Sequence, residues 1–476
     1  MVDFMILYEI PTRELESALI LGNELQSRGY SVEYTSFYDV TKDNYYLNRK
    51  KLKRYRNNVR VLLVPSFYHN NELLDMFYLP FGKVEKIVNL RWEQYFVNEI
   101  MDDPKGHLYL YPCEKGKDAF HVCWGNVSHR NMVDAGIHED RLLDTGPLHM
   151  DILRDEFRGY YKSKEELFNL YQLDSKKKAV LFISSFANAT DKTTYHQYLN
   201  KFFSGNYQVD YSRIDMERAS YDLALEWFDE FMKAHPDVVF VYRPHPSEFI
   251  TERLKSIEEK HPNFRVISME HSVKQWILSC ETIVTWMSTA IVEAYFAGKP
   301  CFIIRPVRFP VEKDMCLYKN ARFISDKTEF MGITDAVCEN ALSDKYVHQC
   351  YDVQKEAPAY IRLCDALEQI IKTSKKFPWD KKMLRKYDRK KLVLVINNLR
   401  KRAKSKIRSF AIKILQGIKK HTCISFGKRI DNKLSVREIN SRRDYYSLGF
   451  DEKNKALGDI VRKQRELRNN SHETAI

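Results

Sequence analysis

Short apolar runs alternate with amphipathic, charge-rich stretches along most of this chain. Residues 3–10 form one such run, which ends at Pro11, and residues 12–28 then place leucine and alanine at near-helical spacing before Gly29. Another short run at residues 30–34 follows directly. A buried strand, an amphipathic helix and a second strand in this order are typical of a parallel α/β unit. We therefore predict an α/β protein.

A second series of apolar runs indicates a second parallel sheet. These runs alternate with helical stretches and occupy residues 179–186, 238–243, 282–286 and 301–305. A chain of 476 residues is also long enough for two or three domains that each bury a core. We predict two Rossmann-like domains facing a cleft, residues 1–154 and 155–350, followed by a closing helix at residues 351–371.

Polar groups follow two runs of the second series where each predicted strand ends. Arg243 and His245 lie in the sequence Y-R-P-H-P-S-E, and Ser288 and Thr289 follow the run T-I-V-T-W. Ligands of open α/β sheets bind beyond the carboxyl ends of the strands, so these groups should share one edge. The two hydroxyls and the N–H groups of the helix they open can hold a phosphate. Arg243 and His245 can add donors or positive charge.

The predicted helix after Thr289 carries a carboxylate. Glu293 lies one turn beyond Thr289 on the same face, where it can accept hydrogen bonds from two ribose hydroxyls. Gly298 suits a left-handed helix stop, and Lys299 adds a candidate cation for the phosphates. Singly, these residues would indicate a loop histidine, a helix cap and a solvated glutamate. Together they favour a nucleotide-diphosphate site, and the sequence offers no competing metal-ligand motif.

Cysteine usage and the start of the chain bear on the compartment. The nine cysteines show no C-x-x-C pair and no regular spacing, which argues for free thiols and against a zinc module or disulfide scaffold. The first residues lack a basic region followed by a long apolar core, and no stretch reaches about 18 continuous apolar residues. We therefore expect a cytoplasmic protein without a spanning helix.

The net charge of +13 is concentrated in one segment. Residues 372–430 hold 21 Lys/Arg and two Asp/Glu, whereas residues 1–371 hold 46 and 54. Residues 404–420 place apolar side chains at spacings of three and four, with lysine and arginine at most other positions. This pattern predicts a helix at a membrane interface, attracted to anionic lipid. Residues 431–476 are polar, and we predict that this tail is disordered.

Two other interpretations of the basic segment stay open. Its apolar stripe could pack on the folded body. It could also bind RNA, although RNA modules usually interleave stacking aromatics with basic residues, and here Phe410 and Phe426 are nearly alone. We therefore predict an anionic membrane surface as the partner of this segment, and no nucleic acid.

Two motifs carry a resemblance to known enzymes. R-P-H-P followed by S-T-x-x-x-E-A-x-x-x-G-K-P resembles the donor half of bacterial GT-B glycosyltransferases, which have two Rossmann domains and build surface and capsular polysaccharides. Similar constellations occur in polysialyltransferases, Kdo transferases and CDP-glycerol glycerophosphotransferases. T-R-E-L, W-G-N-x-x-H and T-G-P-L-H-M-D-I-L in the first half resemble the surface carbohydrate biosynthesis proteins. The resemblance covers roughly residues 3–345.

The resemblance implies a role for each matching residue. His245 would contact and protonate the donor phosphate, which Ser288 and Thr289 would hold. Glu293 would hold the ribose. Glu93, in R-W-E-Q directly after the run K-I-V-N-L, is the only acid where these families place the catalytic base. The glycine that follows the base in these families is missing here.

The resemblance also implies the substrates. Residues 1–154 would bind the acceptor, a growing polysaccharide or a lipid-linked glycan, and residues 155–350 would bind a CMP-, CDP- or UDP-linked donor. No permanently bound cofactor and no metal would be required, since His245 and Arg243 would neutralise the developing charge. The expected place is the inner face of the cell membrane, reached through residues 372–430.

Three alternatives share part of this pattern. An enzyme resembling UDP-N-acetylglucosamine 2-epimerase would also carry the Ser/Thr, Glu and G-K-P elements but would not need a basic tail. A non-catalytic polyanion-binding protein would use the tail and would have no use for an ordered donor site. A transferase that has lost its activity would account for the imperfect acidic motif around Glu93.

Overall fold

Two six-stranded sheets, in which all neighbouring strands are parallel, form the frame of the protein. This computed structural model describes residues 1–67, 69–95, 97–102, 112, 114–190, 211–268, 271–335, 340–389 and 449–473. Parallel sheets are covered by helices on both faces, which explains why their strands read as continuous apolar runs. The predicted α/β fold with two parallel sheets is confirmed.

The first sheet has the strand order β2-β1-β3-β4-β5-β6. Its strands are β1 (Val2–Tyr8), β2 (Val32–Ser36), β3 (Val59–Val64), β4 (Lys86–Asn89), β5 (Phe120–Cys123) and β6 (Leu142–Asp144). The helices around it are α1 (Glu16–Ser27), α2 (Phe37–Val40), α3 (Lys42–Leu52), α4 (Leu79–Phe81), α5 (Asn98–Asp102) and α6 (Asn126–Asp134). Two π-helical turns, Pro11–Leu15 and Glu72–Tyr78, and 3-10 turns at Lys53–Tyr55, Gly116–Asp118 and Glu139–Arg141 complete this half.

The second sheet has the strand order β12-β11-β10-β7-β8-β9. Its strands are β7 (Lys178–Ile183), β8 (Val238–Arg243), β9 (Phe264–Val266), β10 (Thr282–Thr285), β11 (Cys301–Ile304) and β12 (Phe323–Ile324). Its helices are α7 (Lys164–Leu170), α8 (Ala187–Thr190), α9 (Tyr211–Ala234), α10 (Glu252–Lys260), α11 (Val273–Ser279), α12 (Ile291–Phe296), α13 (Lys327–Met331) and α14 (Asp344–Cys350). Short 3-10 turns lie at Val311–Lys313 and Cys316–Tyr318. Gly298 has a φ of +66° just after α12, which confirms the predicted left-handed stop.

The two halves share one contiguous cluster of buried apolar side chains. They are joined by 3-10 segments at Leu148–Leu153 and Asp155–Tyr160, and by helix α15 (Ala359–Lys372), which packs on α1. Buried Asp151 accepts hydrogen bonds from the N–H groups of Ala359 at 3.2 Å and Tyr360 at 2.6 Å. This side-chain cap and the preceding proline start the closing helix at residue 359 rather than at residue 351.

The beginning of the basic segment packs on the first half. Phe377 is buried beneath the first sheet, and the indole N–H of Trp379 donates to Val84 O at 2.8 Å. Residues 381–389 are helical, and Tyr78 Oη donates to Asp388 at 3.0 Å. The predicted interfacial helix at residues 404–420 lies outside the described residues. No helix in the described part of the chain is long and apolar enough to cross a membrane.

The tail predicted to be disordered, residues 431–476, lies outside the described residues up to residue 448, and the part that follows corrects the prediction. Residues Phe450–Glu473 form an α-helix, α16, which packs along α1. Leu457 and Val461 are fully buried, and Gly458 lets the helix approach Asn23, whose side chain a β-carbon at this position would meet at 2.5 Å. The sequence signal was weak because few apolar residues form the stripe, and the surface of α1 supplies the missing burial.

Candidate functional site

A half-buried glutamate that the sequence analysis did not single out, Glu248, holds the loop after β8. Glu248 accepts hydrogen bonds from Ser184 Oγ at 2.6 Å, Tyr242 Oη at 2.5 Å and the His245 N–H at 3.1 Å. Burial raises the pKa of Glu248, and these donors act in the opposite direction. The loop is thereby fixed with His245 beyond the carboxyl end of β8. The His245 ring is solvent-accessible, and its Nδ1 accepts from the Ser247 N–H at 3.2 Å.

Two charged residues of the first half face His245. Arg13, after β1, donates to Glu93, after β4, with Nη1 and Oε1 at 2.7 Å. Arg91, between β4 and Glu93, has a φ of +50°, a strained conformation of the kind that occurs at functional sites. The surrounding protein lowers the pKa of His245, Glu93 opposes this decrease, and Arg13 adds to it. The structure therefore brings the predicted base and the predicted phosphate ligand into one space between the sheets.

The sequence analysis missed Glu9, a second carboxylate in this space. Arg13 Nη2 also pairs with the buried Glu14 at 2.7 Å, and Glu14 Oε2 accepts the Glu9 N–H at 2.7 Å. Glu9, just after β1, is half-buried, and its burial followed by the charge of Glu14 raises its pKa to about 7. A carboxyl group with this pKa exchanges a proton readily at neutral pH. No feature of the segment E-I-P-T-R-E-L in the sequence distinguishes Glu9 as a group that exchanges a proton.

The hydroxyl pair lies beyond the carboxyl end of β10, as predicted, but part of its hydrogen-bonding capacity is used internally. The Ser288 N–H donates to Tyr318 Oη at 2.7 Å, and the Tyr318 hydroxyl donates to Ser288 O at 3.1 Å. The Ala290 N–H donates to Ser288 Oγ at 3.3 Å. Thr289 is exposed. The first turn of α12 therefore offers fewer N–H groups to an anion than its sequence indicated, and Thr289 is the accessible hydroxyl.

A buried arginine supports this loop from behind. Arg305 pairs with Asp314 at 2.6 Å and donates to the carbonyl oxygen of Trp286, two residues before Ser288. Its guanidinium also lies over the rings of Trp286 and Tyr318, with centroid distances of 5.4 Å each. Because Arg305 is planar and paired on both sides, it holds the end of β10 in one position.

The predicted ribose ligand Glu293 is part of a buried ion pair. Its Oε1 lies 3.2 Å from Lys274 Nζ on α11, and both side chains are almost completely buried. Its Oε2 makes no hydrogen bond to any described residue. A buried carboxylate oxygen without a partner is costly, so this atom is suited to accept a hydrogen bond from a ligand. Lys274 was not identified from the sequence, since V-K-Q-W carries no motif.

His149 is a half-buried histidine between the two halves. It belongs to the 3-10 segment Leu148–Leu153, which packs against α12, and its ring lies 4.6 Å from that of Trp124. Its Nδ1 has no hydrogen-bond partner among the described residues. Burial, with the positive charges of Lys274 and Arg13, holds the pKa of His149 well below its ordinary value. The ring is therefore neutral, and it presents an unpaired nitrogen near the Lys274–Glu293 pair.

Two residues predicted to contact the donor, Arg243 and Lys299, bind backbone carbonyls instead. Arg243 is buried and donates to the backbone carbonyls of Ser268 and His271, which fixes the loop after β9. Lys299 precedes β11 and therefore lies at the amino edge of the sheet, opposite His245, where its Nζ donates to Leu278 O at 3.0 Å. Arg243 fixes the loop after β9 and Lys299 lies at the opposite edge of the sheet, so neither position supports direct contact with a donor.

Comparison with known proteins supports the fold. No family model matches the chain, and no curated protein matches it in sequence. A histidine-to-asparagine variant of the wall teichoic acid polymerase TagF, soaked with CDPG, is 12% identical with a TM-score of 0.50, covering 78% of this chain and 88% of that chain. A putative UDP-N-acetylglucosamine 2-epimerase from Listeria monocytogenes is 12% identical with a TM-score of 0.47, covering 80% and 98%. At 12% identity the likeness to TagF shows the fold alone, a GT-B-like pair of α/β domains.

Proposed function

We propose that this protein transfers a sugar or glycerophosphate group from a nucleotide-activated donor to a cell-surface polysaccharide or glycolipid acceptor. The observation that carries the proposal is the meeting of His245 from one sheet with Arg13 and Glu93 from the other. All three follow the carboxyl ends of parallel strands, where ligands of such sheets bind. Groups from two domains that converge in this way can hold a donor on one side and an acceptor on the other.

The donor is held by the second half in this proposal. The exposed Thr289 hydroxyl and the loop that Tyr318 and Arg305 support receive the phosphates. Glu293 Oε2, which Lys274 orients through the other oxygen, accepts a ribose hydroxyl. A CMP-, CDP- or UDP-linked donor, the classes proposed here, presents a phosphate and a ribose to these groups.

Glu9 is the acceptor base that the geometry favours over Glu93. One oxygen of the Glu93 carboxylate is bound to Arg13 at 2.7 Å, so it is not free to accept a hydrogen bond from an acceptor hydroxyl. Glu9 has a pKa of about 7 because it is half-buried near Glu14. It can take the proton of the acceptor hydroxyl, whose oxygen then attacks the activated carbon, or the phosphorus of a glycerophosphate donor.

His245 acts on the leaving phosphate. Its Nδ1 accepts a backbone N–H, so the neutral ring carries its proton on Nε2 and can donate it outward. When the bond between the transferred group and the nucleotide breaks, the electron pair stays on the phosphate oxygen, and the Nε2–H group stabilises that charge. Arg13 adds positive charge to the same space.

Attachment to an anionic membrane surface through residues 372–430 completes the proposal. The helix formed by residues 381–389 and helix α16 both pack on the first half, so residues 390–448 leave from and return to the half assigned to the acceptor. A basic segment tethered at both ends would keep the acceptor side near the lipid that carries the growing glycan.

Thermal unfolding with added CMP, CDP, UDP and GDP tests the donor site. A nucleotide that binds the folded protein at a hundred times its Kd stabilises it by about 2.7 kcal/mol. We expect one nucleotide to raise the Tm of the wild type and of His138→Ala, whose side chain is exposed and distant in sequence from the site. The same nucleotide should not raise the Tm of His245→Ala. No shift with any nucleotide at millimolar concentration would sink the donor site and favour a polyanion-binding protein.

A second assay separates a transferase from an epimerase. The purified protein is incubated with UDP-N-acetylglucosamine without acceptor and followed by NMR. Appearance of the 2-epimer would overturn the transferase proposal. Release of free nucleotide from a CMP-, CDP- or UDP-linked donor that depends on an added glycan acceptor would support it.

A further inference from the structure

Three side chains of metal-binding type meet at one edge of the first sheet. Cys123 ends β5 and Asp144 ends β6, and the two residues are partners in the parallel register of these strands. His129 lies on α6, and its Nδ1 is 2.8 Å from Asp144 Oδ1 and 3.0 Å from Oδ2. The thiol sulfur, the imidazole nitrogen and a carboxylate oxygen all lie within 4.8 Å of one another. We call these three residues the β5–β6 cluster.

The backbone imposes this meeting. Helix α6 starts directly after β5, and its first turn is closed by the His129 N–H, which donates to Gly125 O at 3.0 Å. Gly125 lies so close to Cys350 that a β-carbon would stand 2.7 Å from the Cys350 carbonyl oxygen. The Gly146 N–H donates to Cys123 O at 3.2 Å and ties the turn after β6 to the end of β5. The three ligand atoms therefore stay together without any flexible loop between them.

We propose that the β5–β6 cluster binds a divalent transition-metal ion, and that Zn²⁺ suits it best. Thiolate, imidazole and carboxylate are the ligands that Zn²⁺ takes, at about 2.0–2.3 Å, and three protein ligands leave a fourth tetrahedral position for water. Mg²⁺ and Ca²⁺ prefer oxygen ligands only and do not suit a set with a thiol and an imidazole. The open position faces solvent, because the Asp144 side chain is 59% exposed while Cys123 is buried.

Metal binding exchanges a proton for the ion. On binding, the thiol loses its proton to solvent and the sulfur–metal bond forms. The proton that His129 Nδ1 shares with Asp144 moves through solvent to Nε2, which leaves Nδ1 and a carboxylate oxygen free to bind the ion. Affinity should therefore rise with pH. The ion would clamp α6 to the edge strands and stabilise the W-G-N-x-x-H and T-G-P segments.

The β5–β6 cluster is separate from the proposed donor site. Arg13 and Glu93 follow β1 and β4, whereas the cluster sits on the two strands that form one edge of the sheet. The inference does not rest on the proposed function, and failure of one leaves the other standing.

Cobalt titration of the full-length, metal-free protein tests the site. Co²⁺ replaces Zn²⁺ in such sites, and a thiolate ligand gives a charge-transfer absorption in the near ultraviolet. We expect this band to saturate at one equivalent, to be absent in Cys123→Ser, and to bleach when Zn²⁺ is added. In Asp144→Asn we expect the affinity for Co²⁺ to fall by at least about tenfold, since even the loss of an outer partner has this effect.

Asp134→Asn is the matched control, because Asp134 is exposed on α6 and loses the same charge. Its cobalt affinity should equal that of the wild type. Residues 421–423 add a histidine and a cysteine outside the described part of the chain, so the difference between variants is the quantity to compare. The proposal is overturned if no thiolate band forms, if the band survives in Cys123→Ser, or if Asp144→Asn and Asp134→Asn bind Co²⁺ equally well.

Discussion

Two leucines of helix α16, one buried and one exposed, test whether this helix packs on the first half. Leu457 is fully buried against the first half, whereas Leu467 is 53% exposed on the same helix. Replacing a buried leucine by alanine removes its burial and leaves a cavity, which costs about 2–5 kcal/mol. The close approach at Gly458 leaves little room for the cavity to collapse, so the cost should lie in the upper part of this range. Leu467→Ala should cost less than about 0.5 kcal/mol.

Amide hydrogen exchange of residues 450–473 measures this difference directly. If α16 opens as a unit, a loss of about 2–5 kcal/mol accelerates exchange by about 30-fold to a few thousand-fold in Leu457→Ala. The facing residues of α1 should lose protection at the same time, because both helices are exposed by the same opening. The Leu467→Ala helix should exchange at the wild-type rate.

Two results of the exchange experiment would contradict the packing of α16 on α1. Equal exchange in the two variants would mean that Leu457 and Leu467 have the same surroundings. Rapid exchange of α16 in the wild type would restore the original expectation of a disordered tail.

The buried charges and the basic segment supply three further predictions. Lys274→Met leaves the buried Glu293 carboxylate uncompensated and should lower the free energy of unfolding, measured by chemical denaturation, by about 3–5 kcal/mol. A double variant that also carries Glu293→Leu should recover most of this loss. Equal stability of the single variant and the wild type would contradict the ion pair. Glu9→Gln should lower kcat/KM by about 10²–10⁴-fold and abolish its rise through about pH 7, because only the ionised carboxylate accepts a proton, whereas Glu93→Gln should keep that rise. Deleting residues 390–448 should stop co-sedimentation with anionic vesicles and leave the nucleotide-induced Tm shift unchanged; continued sedimentation would exclude this segment as the membrane anchor.

Tertiary contacts, rather than motifs, decided which charged residues face the site. Arg243 and His245 are two positions apart in one motif, yet the arginine turns to backbone carbonyls and only the histidine reaches the space between the sheets. Lys299 follows the helix stop in the motif, and the chain reversal places it at the far edge of the sheet. Each strand runs from the amino edge to the carboxyl edge of the sheet. Residues only a few positions apart along the chain can therefore lie at opposite edges.

The amino-acid sequence by itself determined the alternation of strands and helices, the parallel sheets and the helix stop at Gly298. These features depend on hydrophobic period and on turn chemistry, which act over a dozen residues or fewer. The two strand-end loops that carry His245 and Ser288 were predictable for the same reason, because ligand sites of open α/β sheets lie beyond strand ends.

Only the tertiary structure decided the partners. Glu14 and Glu93 lie 79 positions apart and pair with one arginine, Arg13. Lys274 meets Glu293 from another helix, and the β5–β6 cluster joins two strands and a helix. Helix α16 becomes ordered against α1, more than 400 residues earlier in the chain. Such pairings carry no local pattern, because the free energy that stabilises them comes from burial and charge contacts made only when distant segments pack.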